Sequence, residues 1–322
     1  MSSLAITLEE VYAAVGAEMG INRDSTNWDA VTLADVNRVV RAGRRRFYNP
    51  PPTDGPLGWK WSFLDQIQTV LTRVPTSDST ITIVDGTVTR AAGVWPAAAI
   101  TENSFLVVDG TAYEVATRTS DTVIVLSNTS VDADALTTYE LVQYRFPLAS
   151  NFGGLNAPVT RIVGNGTRSP ILEGWLDQDL RNLYAVQFRT GEPTRYATFA
   201  KTDAETGIPT WYVEFWPVPV IVYEMKVDYH INPGDGLEND IALAFTDPVH
   251  SETLLEAILS AAEQFKMGTQ GVHSARYIEC LTASISRDKR TSGVRALRSP
   301  RQNQRGYPID LINAPLIYPV TP

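Results

Sequence analysis

The sequence predicts an α+β protein: a helical bundle built from N- and C-terminal helices, with inserted antiparallel β domains and an extended C-terminal arm. Three observations predict it. Helical spacing with capping signals occurs at both ends of the chain. Between them, Asp85-Gly86 and Asp109-Gly110 each sit between β-branched runs, a strong short-range hairpin signal. The last segment, 292–322, follows neither period and carries five prolines.

Thr7, with Glu10 three residues on, reads as a capping box that opens a helix over "TLEEVYAAVGAEMG". A second helix is expected from Thr32, with Asp35 in the corresponding place. Along it Leu33, Val36, Val40, Gly43 and Phe47 recur every three or four residues and form one apolar stripe. Arg38, Arg41 and Arg45 follow the same spacing on another face. Pro50, Pro51 and Pro52 end the helix, because proline has no N–H to donate and clashes with the preceding turn. Trp59, Trp61 and Phe63 alternate, which reads as a short strand with an aromatic face.

From Thr76 to about Leu148 five or six short strands are expected, enough for a small barrel or sandwich. A second β-rich region follows, with a short helix around 172–184 and strands in "RYATFAKT", "TWYVEFWPVP" and "IVYEMKVDYHINP". Aromatics occupy both faces of the second of these, so both faces should be covered. Asp247-Pro248 reads as a cap before a proline-started helix. Its apolar stripe is Leu254, Leu255, Ile258, Leu259, Ala262 and Phe265, and Gly268 suits the residue after its end. A last helix is expected from Ser274, with Tyr277, Ile278, Leu281 and Ile285 facing inward. The expected division is 1–75 and 247–291 for the two parts of the bundle, 76–148 for the small β domain, 149–246 for the second β-rich region, and 292–322 for the arm.

Composition narrows the function. The chain has 322 residues and a net charge of −9, which argues against a general nucleic-acid binder. Positive charge concentrates in 287–305, where seven Lys/Arg meet one acid, Asp288. One cysteine, Cys280, excludes an intramolecular disulfide, and beside Tyr277 and Leu281 it reads as a small core residue. His230, His250 and His273 show no zinc-ligand spacing. No cofactor and no enzyme activity are expected. "GNGTRSP" at Gly164 lacks the Gly-Lys-Ser/Thr ending of a phosphate loop and reads as a turn. Glu173 and Asp177, four apart on the expected short helix, would share a face. Paired carboxylates can cleave glycosides, but a solvated face is the more ordinary reading. Trp175, Trp211 and Trp216 could stack on sugars or bases, yet packing is the commoner role. No apolar run approaches the ~18 residues of a membrane span. The N-terminus, with Glu9, Glu10 and Glu18, does not read as a signal peptide, so a cytoplasm-like compartment is expected.

Two basic regions bear on partners. Arg38, Arg41, Arg44, Arg45 and Arg46 could neutralise phosphates, but no aromatic interleaves with them before Phe47 and Tyr48. On an acidic body, ion pairing is preferred, with Arg38, Arg41 and Arg45 as candidates for intersubunit pairs; a solvated face and DNA contact stay open. In 292–322 the candidate docking residues are Arg295, Arg298, Arg301, Arg305, Tyr307, Leu311, Ile312, Leu316, Ile317 and Tyr318. A segment with apolar anchors and no core of its own is expected to dock on another subunit. Folding back on its own body is the alternative.

Three stretches together resemble a family. They are "VTLADVNRVVRAGRRRFYNPPP" followed by "WSFL", then "FLVVDGTAYEVATRTSDTVIVL", then "LEAILSAAEQFKMGTQGVHSARYIECLTASISRDKR". In texture and order they look like the head–tail adaptors of tailed bacteriophages, also called connector or head-completion proteins, which are related to tail tubular proteins. The resemblance spans most of the chain, and no catalytic motif anchors it. It implies a virion structural protein, assembled in the bacterial host cytoplasm. The helical bundle would sit beneath the portal protein in a homo-oligomeric, typically dodecameric, ring. Residues 292–322 would reach the portal, and the β domains would face tail or nozzle proteins or neighbouring subunits. Viral DNA would pass through without specific binding, and the net charge adds the expectation of an acidic channel lining. Two rival readings remain: a tail component that binds or cleaves host glycans, and a DNA-binding packaging or completion factor.

Overall fold

The computed structural model describes residues 6–52, 59–136, 139–162, 172–202, 207, 209–233, 248–269 and 271–296. The chain begins with α1 (Leu8–Met19) and α2 (Ala30–Tyr48), then β1 (Asp65–Leu71), β2 (Ile81–Val84) and β3 (Thr87–Arg90). There follow α3 (Ala98–Thr101), β4 (Ser104–Val108), β5 (Thr111–Arg118), β6 (Val123–Leu126), β7 (Ala133–Leu136) and β8 (Tyr139–Gln143). Next come β9 (Arg145–Pro147), β10 (Phe152–Leu155), β11 (Thr160–Arg161), β12 (Glu173–Gly174) and α4 (Asp177–Val186). The chain continues with β13 (Arg195–Thr202), β14 (Pro209–Trp216), β15 (Glu224–Ile231), α5 (Ser251–Met267) and α6 (Val272–Ala296). Helices and largely antiparallel sheets make this an α+β protein. Contacts divide it into two units, residues 1–63 with 235–322, and residues 64–234.

In the first unit, α5 packs against α1, α2 and α6. The Thr7 capping box forms: its side chain accepts from the Glu10 N–H at 3.2 Å, and Glu10 accepts from the Thr7 N–H at 2.8 Å. The second helix starts earlier than Thr32, because Asp29 takes the capping role and accepts from the Thr32 N–H at 2.7 Å. Those bonds from Thr32 hold the Asp29 carboxyl below its ordinary range. Val36, Val39, Val40, Gly43 and Phe47 are buried, while Leu33 is half-buried. At Gly43 the helices meet closely: a Cβ there would lie 2.3 Å from Ile258 Cα.

Pro248 does not start the α-helix. It opens a 3-10 turn, Pro248–His250, and α5 begins at Ser251 without a side-chain cap; Asp247 lies outside the described residues. Gly268 closes α5 in the left-handed region, φ 72°. Of the expected stripe, Leu254, Ile258, Leu259 and Ala262 are buried, but Phe265 is 45% exposed on the rim of a groove with Arg38 and Gln264. On α6, Tyr277, Leu281, Ser284, Ile285 and Asp288 form the buried face, while Ile278, expected to face inward, is exposed because it lies off that face. Trp59, Trp61 and Phe63 form no strand. Ser62–Leu64 turn as a 3-10 helix, and Trp61 stacks on Phe47 with ring centroids 5.0 Å apart while its indole N–H donates to the Phe47 carbonyl. Stacking Trp61 and Phe63 on Phe47 of α2, and tying the Trp59 indole to Asp288 of α6, outweighs the alternation that suggested a strand.

Among the described residues the second unit holds three sheets. One runs β7-β2-β3-β6-β5-β4-β8, seven strands where five or six were expected. Its hairpins turn at Asp85-Gly86 (φ 48° and 71°) and Asp109-Gly110 (φ 49° and 77°), with Val84 opposite Thr87 and Val108 opposite Thr111. Two consecutive left-handed residues are what a two-residue type I′ turn demands. Ile81, Ile83, Leu106, Ile124 and Leu126 pack around Trp95 inside it. A second sheet runs β12-β13-β14-β9. In the third, β1 pairs with β15 from Asp65 opposite His230 to Leu71 opposite Glu224, and β10 and β11 take the other side of β15. The contact division therefore falls after residues 63 and 234, whereas the sequence placed its boundaries after 75 and 246. The short helix starts at Asp177, because Glu173 and Gly174 pair in parallel with β13. Among the described residues no helix is long and apolar enough to cross a membrane.

Candidate functional site

The arginine face of α2 separates into two groups. Arg38, Arg41 and Arg45 are exposed. Arg44 is 4% exposed, with its guanidinium 5.8 Å from the Tyr48 ring centroid. Arg46 donates to Ser260 Oγ at 3.1 Å and to the Gln264 side chain, and its carbonyl accepts from the Tyr277 hydroxyl at 2.8 Å. Arg44 and Arg46 are thus spent inside the helical unit and are not free for phosphates. Arg38 and Arg41 make no ion pair among the described residues. Arg295 lies in the last turn of α6. Arg298, Arg301, Arg305, Tyr307, Leu311, Ile312, Leu316, Ile317 and Tyr318 lie outside the described residues, as does the stretch beginning at Gly164.

The glycosidase-like pair does not form as expected. Glu173 is on a strand and pairs with Arg195 at 3.4 Å, while Asp177 is on α4 and pairs with Arg181 at 3.1 Å. The three tryptophans do not gather at one place. Trp211 packs against Phe152, and Trp175 and Trp216 lie on the Arg195 guanidinium at 3.9 and 5.1 Å. Cys280 is half-buried, and burial, followed by Glu252, Glu256 and Glu279, pushes its thiol up, so the unreactive thiol form is favoured.

Two clusters were missed by sequence reasoning. The first is Asp288, the lone acid of 287–305. It is 3% exposed and accepts from the Trp59 indole N–H at 2.8 Å, the Ser62 N–H at 3.1 Å and the Ser62 hydroxyl. It clamps the aromatic segment to α6. Its isolation in a basic run was the available signal.

The second lines a cleft of about 600 Å³ in the β unit, bordered by Phe105, Glu114, Tyr144, Arg145, Arg181 and Lys201. Arg145 is its hub. Its Nε meets Glu214 Oε1 at 2.6 Å and its Nη1 meets Glu114 Oε1 at 2.9 Å, while its guanidinium lies 4.5 Å from the Tyr144 ring centroid. The Tyr144 hydroxyl donates to Glu114 at 2.7 Å. Burial pushes the Tyr144 phenol far above its ordinary range, with Arg145 opposing, so the phenol stays protonated. Glu214 is fully buried, and burial raises its carboxyl despite Arg145. The wall thus combines a sealed carboxyl, Glu214, and a protonated phenol, Tyr144, with Glu114 and Lys201, which stay open to solvent. The expectation that both faces of this strand are covered holds for its second half and puts Glu214 on a covered face, but nothing in the sequence marked Arg145 as its partner. No protein-family model matches this sequence, and no curated protein matches it.

Proposed function

We propose that this chain is a head–tail adaptor subunit of a tailed-bacteriophage virion, a ring component that joins the capsid portal to the tail and surrounds the DNA passage. The observation that carries the reading is chain order in space. Helices α1 and α2 from the start and α5 and α6 from the end pack together, and residues 64–234 leave and re-enter between them as one β unit. That is the plan of a helical bundle with a β insertion. Helix α6 runs through Ala296, past the expected boundary at 292, so the residues after it, 297–322, supply an arm that docks beyond its own subunit, on the portal or a neighbouring copy. A ring component needs rigid elements and complementary charge rather than a reaction centre. Rigidity comes from the Arg46 and Asp288 clamps. Complementary charge comes from exposed Arg38, Arg41 and Arg45 on a chain of net charge −9, which favours intersubunit pairs and discourages adhesion of transiting DNA. The DNA-binding rival loses Arg44 and Arg46 to internal bonds, and the glycan-cleaving rival loses its helix-borne carboxylate pair.

Electron microscopy of the full chain mixed with the portal protein of the phage that encodes it tests the reading. A ring seated on the portal is expected. A chain that neither forms a ring nor binds the portal overturns the proposal.

A further inference from the structure

We propose that a hollow beside β8 is the docking site for an extended segment of a second copy of this chain, residues 307–320. The inference rests on the ring reading above and names one of its contacts. The hollow is about 260 Å³ and is bordered by Arg73, Val74, Ile100, Leu141, Gln143 and Val222. Gln143 is 7% exposed; its amide nitrogen donates to the Arg145 carbonyl at 2.8 Å, while its Oε1 is buried without a hydrogen-bond partner. A buried carbonyl of this kind is costly until a donor reaches it.

The rim is aliphatic. Leu71, Val74, Ile221 and Val222 are each more than half exposed, at 57, 63, 51 and 59%. Of these, Val74 and Val222 border the hollow itself, and their segments are tied together where the Thr72 N–H donates to the Tyr223 carbonyl at 3.0 Å and the Thr72 hydroxyl to the Ile221 carbonyl at 2.7 Å. Contiguous exposed aliphatic surface marks an interaction site more often than a bare one. Arg73 is exposed at the same rim and has no ion pair among the described residues. The hollow therefore calls for an N–H donor, aliphatic side chains and a single carboxylate.

Residues 307–320, "YPIDLINAPLIYPV", match that demand. Asp310 is their only charged residue, flanked by Ile309, Leu311 and Ile312. Pro308, Pro315 and Pro319 preclude a continuous helix, so main-chain N–H groups remain available for Gln143. Asp310 then faces Arg73, and the aliphatics cover Val74 and Val222. From the end of α6 at Ala296 to Asp310 is fourteen residues (310 − 296), which extended reach roughly 45–50 Å, a distance on the scale of a neighbouring subunit.

The test is fluorescence anisotropy of a labelled, C-terminally amidated peptide of residues 306–322. It is titrated with the full chain at concentrations where mass photometry shows monomers. Saturable binding is expected. Val222→Asp and Arg73→Glu should each weaken it by about tenfold or more, since an unpaired or opposed charge at such a rim is costly. A peptide carrying Asp310→Lys should recover wild-type affinity on the Arg73→Glu chain. Both substituted side chains are exposed, so unchanged thermal-unfolding midpoints control for folding. Absence of saturable binding, or equal binding by wild type and Val222→Asp, overturns the docking site. Failure of the charge swap to recover binding overturns the Arg73–Asp310 pairing. No portal is present, so a chain that fails here yet forms a ring on the portal loses only this contact, not the adaptor reading.

Discussion

Glu214 sits fully buried on β14 with one oxygen on Arg145 and the other without a partner. Its carboxyl is raised above 4.5, chiefly by burial. Between the ordinary value and the raised one, the folded state binds more protons than the unfolded chain, so Glu214's contribution to stability falls as pH rises through that window. Glutamine in its place keeps the shape and cannot ionise. The unfolding midpoint of Glu214→Gln minus that of wild type should therefore increase from about pH 4 upward towards neutrality, read by thermal denaturation at successive pH values. A difference that stays flat would sink the account. Asp288 is the converse case, an acid whose burial is matched by donors from Trp59 and Ser62. Neither environment is written in local sequence, because both depend on partners far away along the chain.

At the scale of elements, local chemistry was legible wherever a single turn decided the outcome. The Thr7 box, the Gly268 terminus and the two Asp-Gly hairpins all follow from bonds within a few residues. Where two local signals competed, the weaker reading failed: Asp29 displaced Thr32 as the cap of α2, since its carboxylate reaches the Thr32 N–H. Contacts between elements were harder. Gly43 looked like one position of an apolar stripe, yet its lack of a side chain is what lets α2 meet α5. Glycine to alanine within an exposed helix stabilises by up to about 1 kcal/mol. At Gly43 the new Cβ would lie 2.3 Å from Ile258 Cα and 2.8 Å from its nitrogen, both backbone atoms that cannot swing aside. Gly43→Ala should instead destabilise the protein by about 1–3 kcal/mol, as overpacking does. Urea unfolding checks the sign, and a raised midpoint would contradict the close approach.

For the whole molecule, the division into units makes its own prediction. Residues 64–234 contain three sheets whose buried residues include Trp95, Leu106, Tyr144, Phe215 and Tyr229. A unit with its own core should fold alone. Expressed by itself, this segment should show a β-type circular dichroism spectrum and a single cooperative thermal transition. A broad, non-cooperative melt would mean that the helical unit completes its core. The adaptor proposal belongs to this scale as well, because it depends on which ends of the chain come together and not on a reacting group.

The sequence by itself determined the α+β class, the helical ends, the β-rich middle and the hairpin turns, because capping, periodicity and turn chemistry act over a few residues. It also showed an acidic chain with a basic stretch near its end, since charge is additive. Only the tertiary structure decided which arginines are spent internally, why Asp288 and Glu214 are buried, and where β1 belongs. It also decided that Gln143 keeps an unpaired carbonyl beside an aliphatic rim. Those outcomes depend on residues dozens to hundreds of positions apart, where desolvation and packing outweigh any local preference.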